Sequence, residues 1–335
     1  MENSTEWILV APGCLGLQGW KGFTYLNQGL VIGIVVLTIM VGVCGTVANT
    51  LVLMAVYRTV SLRTTTNLFL TSLAVSDLTM GCVIVPLFAF GAVNWPYHSR
   101  YPVFGMTVDF MLMQSLIAST YNLCVISFDR HVAVKDPLRY MSIMTKKRVI
   151  TLIAITWFAS VAFSVQSFTN ANYEKRPKLY FIPSLVVPMP AVTFMMWCYW
   201  RIYKEAMRQK RRIQDHSPSV ILDDEEPTTV QSNKSEKREK MRKERKATIT
   251  VAIVIGTFLL CWLPNMIVSI VQFIYTSIDL CNAVMIGEFW LISLPISSIN
   301  SVANPLIYVL RNNEFKHAVI GILRSKGGLR QIGWT

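Results

Sequence analysis

The sequence predicts an all-α membrane protein: a seven-transmembrane helix bundle with a short amphipathic helix after the last span. Three observations carry this expectation. The 335 residues are 53% hydrophobic, with a mean hydropathy of +0.43, more apolar than an ordinary soluble domain. The apolar residues fall into seven runs, near 30–57, 66–92, 103–133, 148–168, 180–206, 246–274 and 284–310. About 20 such residues cross a hydrocarbon core of about 30 Å. Finally, the loops between runs are basic on one side only. In lipid every backbone N–H and C=O must be bonded internally, so runs of this length joined by short polar loops are helices.

The net charge of +13 does not point to nucleic acid, because of where it lies. Lys and Arg gather in alternate loops: Arg58 and Arg63; Lys135, Arg139, Lys146, Lys147 and Arg148; Lys234 to Lys246; then Arg311, Lys316 and Arg324. This is the positive-inside pattern. It predicts a multi-pass membrane protein with its N-terminus outside and its basic loops in the cytoplasm, against lipid.

Residues 1–29 read as an extracellular N-terminus. They carry no charged start followed by a long apolar core, so the first span is expected to act as the insertion signal. Asn3-Ser4-Thr5 is a glycosylation acceptor on the outer side, whereas Asn233-Lys234-Ser235 falls on the inner side. Residues 30–310 form the seven-span domain, within which 207–245 is a long polar cytoplasmic loop. Its centre, around Asp223-Asp224-Glu225-Glu226-Pro227, is too charged and too poor in apolar residues to pack. Its flanks, Tyr203 to Arg212 and Lys234 to Lys246, are expected to extend the neighbouring helices. In the tail, 311–335, Asn313 to Leu323 has apolar residues at helical spacing and reads as a helix lying on the membrane surface. No cysteine follows it, so palmitoylation there is not available. Of seven cysteines, Cys44, Cys82, Cys124, Cys198 and Cys261 fall within spans, where they pack as small apolar residues. Cys14 and Cys281 lie outside, where disulfides persist, and a Cys14–Cys281 bridge is one arrangement open to them.

Polar residues in a span are costly and usually face the bundle interior. Asp77 lies in the middle of the second run. Asn49, Ser119, Asn300, Ser301 and Asn304 recur at similar depth. Oxygens around one carboxylate suit a small hard cation with water, or a plain interhelical hydrogen-bond network. Asp129-Arg130-His131 ends the third run, and Asn304-Pro305-Leu306-Ile307-Tyr308 closes the seventh. Arg130 is permanently charged and at the inner membrane edge must find an anion or water.

With these motifs in order, residues 30–325 resemble the rhodopsin-like (class A) G-protein-coupled receptors. The resemblance rests on Asn49 in the first span, Leu73, Ala74 and Asp77 in the second, and Asp129-Arg130-His131 in the third. Trp157 follows in the fourth, and Pro190 and Tyr199 in the fifth. Cys261-Trp262-Leu263-Pro264 lies in the sixth, and Asn304 to Tyr308 in the seventh. The resemblance implies a receptor that converts binding of a small extracellular ligand into activation of a heterotrimeric G protein, with arrestin and receptor kinases as further partners. It implies a sodium site at Asp77, Ser119, Asn300, Ser301 and Asn304, sodium being an allosteric ligand rather than a cofactor.

It also implies a switch. An Arg130–Glu244 pair would hold the third and sixth helices together, and its rupture would open a cleft for the G protein. Pro264 permits a kink beneath Trp262, beside Phe258 and Pro190. Pro305 lets Tyr308 swing toward Tyr199. Pro137 and Leu138 resemble the inner-loop segment that docks on Gα, with Leu138 as the apolar plug, and His131 stands where the family usually has Tyr.

The inner half looks most like amine receptors, from Lys246 to Pro264, from Asp129 to Tyr140 and along the second span. The outer half departs. Amine receptors place an Asp in the third helix five turns outside Arg130 to pair with a protonated amine; here that position is Leu112. Asp109, one turn further out, is the alternative carboxylate, and Glu288 a weaker one. The family's outer disulfide is missing: its third-helix cysteine is Gly105, and Thr169 to Lys178 contains none. Thr120 replaces an Ile expected beside Pro190 and Phe258. Leu112, Met113, Asn265, Met266, Trp290 and Leu294 are the other candidate ligand contacts, a set that suits a neutral lipid-like ligand as well as an amine, with a peptide also open.

No paired catalytic carboxylates, nucleophile triad, metal-ligand spacing or phosphate loop is present, so an enzyme is not expected. A retinal-binding light sensor needs a Lys in the last span; 284–310 has none, and Ser298 holds that position. A transporter or channel would show repeats, broken helices or charged pore rings.

Overall fold

A computed structural model describes residues 28–94, 101–168, 186–215, 228–276 and 280–324. Within them the chain forms seven long helices and an eighth short one. The first is Gln28–Arg58. The second runs from Thr65–Thr79 through a π-helical turn, Met80–Ile84, into Val85–Val93. The third is Pro102–Lys135 and the fourth Lys146–Ser164, prolonged by a tight turn over Val165–Phe168. The fifth is Pro188–Asp215, the sixth Thr228–Thr276, the seventh Leu280–Arg311 and the eighth Asn313–Arg324. A single helical turn, Tyr140–Ile143, lies between the third and fourth.

Within the described residues, five of these helices, the first four and the sixth, are long and apolar enough to cross a membrane by length and composition. The seventh carries inward-facing Ser297, Ser298, Asn300, Ser301 and Asn304, all buried. The flanks of the long inner loop do extend their helices, and further than expected: the fifth reaches Asp215 and the sixth begins at Thr228.

The third helix is the central post. It packs on the second, fourth and fifth helices, while the seventh packs on the first and sixth. The main apolar core fills the inner half of the bundle, around Phe69, Leu73, Leu123, Ile126, Met195, Phe258 and Tyr308. The eighth helix inserts Phe315 and Val319 into the same core. Outward faces are apolar as well: Phe158, Leu260 and Leu310 are among the most exposed side chains, as expected where lipid replaces water.

The first and second helices meet through glycine. A Cβ at Gly81 would fall 2.7 Å from the Gly42 carbonyl oxygen, and one at Gly42 would fall 2.9 Å from Val85 Cγ1. Gly81 lies within the π-helical turn one helical turn beyond Asp77. The sequence reading anticipated neither the turn nor the contact.

Candidate functional site

Asp129 and Arg130 close the inner end of the third helix, both buried. Arg130 does not reach outward. Its Nε donates to Asp129 Oδ2 over 3.0 Å, and its Nη2 donates to the same oxygen and to Thr66 Oγ1. Thr66 donates to Asp129 Oδ2 over 3.1 Å, and the Tyr140 hydroxyl donates to Asp129 Oδ1 over 2.7 Å. Thr65 Oγ1 lies 3.3 Å from the same phenol oxygen.

One carboxylate thus ties together the second helix, the third helix and the inner loop. Its charge is matched by Arg130 and its lone pairs are filled, which is what makes a buried ion pair tolerable. Burial, then the Asp129 charge, push the Tyr140 phenol above its ordinary range. It therefore stays a donor throughout the physiological pH range. Thr66 and Tyr140 were missed in the sequence because a Thr run and a loop Tyr carry no signal of their own.

Glu244 lies on the sixth helix, but its side chain falls outside the described residues, so the expected Arg130–Glu244 pair does too. Leu138 is 97% exposed and Pro137 is exposed beside it, leaving an apolar knob free on the inner surface. His131 is buried, with its ring 5.3 Å from that of Trp197.

Higher in the bundle, Asp77 is buried between the second and seventh helices. Ser301 Oγ donates to Oδ1 over 3.3 Å and Asn304 Nδ2 to Oδ2 over 2.9 Å. Asn49 Nδ2 bridges the first and seventh helices through the Gly45 and Ser301 carbonyls, over 2.9 and 2.8 Å. Ser119 pairs instead with Ser76, 2.9 Å between hydroxyls. The side-chain oxygens of Asn300 and Asn304 are buried with no partner among the described residues. A buried carboxylate bonded to Asn304, whose own amide oxygen is unsatisfied, with Asn300 one helical turn away in the chain, is a donor set that fits a small hard cation.

Tyr308 and Tyr199 also hold buried hydroxyls without partners among the described residues. The Tyr308 ring rests 6.4 Å from Phe315. Trp262 is buried with its ring 6.1 Å from that of Phe258, and Pro264 lies inside the continuous sixth helix. Thr120 is buried and bonds its own helix at the Leu116 carbonyl. Pro190 differs from the expectation. It is exposed and lines an outward groove rather than packing against Phe258 and Thr120. At that point of the fifth helix the inward side chains are Ala191 and Met195.

At the outer end, Leu112 and Met111 pack against the cluster of Met80, Ile84 and Leu294, with Phe88 beside them. Met113 is wholly buried, Asn265 is buried and Ser269 donates to its carbonyl over 2.9 Å. Met266, Trp290 and Asp109 are half-buried. Gln114, Ser115 and Ser293 are buried nearby in sequence. The side chains of Glu288 and Cys281 lie outside the described residues, as do Asn3, Cys14, the loop Thr169 to Lys178 and the Asp223 to Pro227 stretch.

The family described as "7 transmembrane receptor (rhodopsin family)" matches residues 48–308 of the chain. The chain belongs to that family. It is a G-protein-coupled signalling receptor of class A, not an enzyme. The receptor is 28% identical over 327 residues to the alpha-1A adrenergic receptor of Oryzias latipes, covering 88% of this chain and 66% of that one. It is 29% identical over 345 residues to the 5-hydroxytryptamine receptor 1B of Equus caballus and of Homo sapiens, covering 88% of this chain and 86% of each of theirs. The receptor therefore spans about two thirds of the first of these relatives and most of the other two.

Proposed function

We propose that the receptor sits in the plasma membrane with its N-terminus outside and takes an uncharged small ligand rather than a protonated amine. The observation that carries this is the setting of Leu112. The position that holds the amine-pairing carboxylate in the resembling receptors is packed here against Met80, Ile84 and Leu294. A protonated amine driven into that cluster would lose its hydration with no counter-charge, a cost of several kcal/mol. The buried polar groups in this region, Gln114, Asn265, Ser269 and Ser293, are neutral amides and hydroxyls, which suit a ligand bearing hydroxyl or amide groups.

A second reading has its own support. The relatives named above are receptors for amines by their names, and Asp109 is half-buried one turn further out. On this reading Asp109 is the amine's counter-ion. Second-messenger output of the receptor and of Asp109→Asn, against a panel of biogenic amines, neutral lipids and short peptides, separates the two. A response to non-amines that survives Asp109→Asn is expected. An amine response abolished by Asp109→Asn would transfer the conclusion to the second reading.

In either case the inner half transduces. The resting state keeps Arg130 on Asp129 and Thr66, with Tyr140 donating to Asp129, and ligand favours a state in which Arg130 is released and the sixth helix swings from the third. The open cleft admits a heterotrimeric G protein, with Leu138 seated on Gα; arrestin and receptor kinases follow on the same face. Sodium, held by Asp77, Asn300, Ser301 and Asn304, would stabilise the resting state by binding it in preference to the open one.

A further inference from the structure

The fifth helix carries a feature the switch does not use. Val186, Met189, Pro190, Thr193, Phe194 and Trp197 line an outward-facing groove of about 800 Å³. Its lining is almost wholly apolar, and Val186, Met189 and Trp197 are each more than two-fifths exposed. From residue 186 to residue 197 a helix rises about 16 Å, close to the roughly 15 Å of one membrane leaflet.

The inner end of the groove is basic. Positions 190, 193, 197, 201 and 204 recur at helical spacing on one face, so the groove runs directly onto Arg201 and Lys204. Arg201 lies over the Trp197 ring, 5.8 Å from its centroid, and Lys204 over the Trp200 ring at 5.0 Å. The Trp197 ring stacks on Phe194 at 5.7 Å and meets His131 of the third helix at 5.3 Å. Lys135, at the end of the third helix, Arg201 and Asp136 all act electrostatically on His131. Two acids are therefore near: Asp136, the chain neighbour of Lys135, and Glu205, which pairs with Arg208 at 3.9 Å. Arg201 and Lys204 have no carboxylate within ion-pair distance among the described residues. Two tryptophans at this depth mark a membrane interface. An apolar slot one leaflet long, ending on aromatic-backed cations, complements one class of molecule.

We infer that this face of the fifth helix is a binding site for an anionic phospholipid of the inner leaflet. One acyl chain lies in the groove from Trp197 to Val186, and the phosphate sits between Arg201, Lys204 and Lys135. The inference rests on the proposed orientation, with the basic end of the bundle in the cytoplasm. The site adjoins His131, next to Arg130, through the ring of Trp197.

The test is native mass spectrometry of the intact receptor released from nanodiscs of phosphatidylcholine, alone or doped with phosphatidylserine. Four forms are compared: the receptor itself, Arg201→Gln with Lys204→Gln, Thr193→Trp, and a control, Lys146→Gln with Lys147→Gln, at the exposed base of the fourth helix. The receptor should retain phosphatidylserine. Each basic side chain contributes about fivefold in affinity to an anionic surface, so the double variant at 201 and 204 should weaken retention roughly 30-fold. Thr193→Trp, which fills the groove and leaves the cations, should also weaken it, and the control should not.

Equal retention by all four forms would overturn the site, as would equal loss in the control, preferential retention of phosphatidylcholine, or a groove closed by a second copy of the chain. The readout needs no signalling and both nanodisc leaflets carry the lipid. A receptor that binds phosphatidylserine here yet drives no nucleotide exchange would contradict the proposed function alone.

Discussion

On the proposed function, Asp129 is the residue on which the resting state turns. It accepts from Arg130, Thr66 and Tyr140, so it competes with any other anion, including a G protein, for the arginine. Tyr140→Phe removes one donor without changing volume. The loss of one hydrogen bond to a charged group, about 1.5–3 kcal/mol, falls on the resting state alone. Basal nucleotide exchange on Gα should rise about tenfold or more in membranes carrying Tyr140→Phe, and an unchanged rate would show that the phenol does not hold the switch. Glu244→Ala should raise it too if Glu244 is the second partner of Arg130. At Asp77 the prediction is ionic: replacing potassium by sodium should raise the Tm of the solubilised receptor, and Asp77→Asn should abolish that difference. The motif residues were legible in the sequence because buried charge is rare and their order is distinctive. Thr66, Tyr140 and Ser76 were not, because a hydroxyl's partner depends on which helices come together and not on its own neighbours in the chain.

Among the elements, the second helix departs most from its sequence. Its hydrophobic pattern from residue 66 to 92 does not mark the π-helical turn over Met80–Ile84; the available signal was Pro86, which has no N–H for the carbonyl four residues before it. The turn brings Gly81 onto the backbone of Gly42, an approach that only a residue without Cβ permits. Gly81→Ala should therefore overpack the first and second helices and cost about 1–3 kcal/mol, read as a fall of several degrees in Tm. An unchanged Tm would mean that the two helices separate there without cost. The eighth helix was legible from its spacing alone, since Phe315 and Val319 recur one turn apart and are the two side chains it buries. Pro190 was misplaced because a proline marks a position along a helix but not the direction it faces. The lengthening of the fifth and sixth helices into the inner loop was expected in kind; its extent follows from long charged residues that favour helix wherever nothing interrupts them.

For the molecule as a whole, the two halves differ in how much they reveal. The inner half carries charged and polar groups that must be paired, and so its chemistry could be read from residue types. The outer half around Leu112 is held by apolar packing, which specifies shape without naming a ligand. The account holds that the inner half is a complete transducer whatever the outer half binds. Guanine-nucleotide exchange measured on a panel of purified heterotrimeric G proteins, with the receptor and with Arg130→Ala in nanodiscs, tests this most directly. The account predicts exchange above the receptor-free rate on at least one Gα class and its loss in Arg130→Ala. Exchange equal in the two forms, or absent on every class even with Tyr140→Phe, would contradict it.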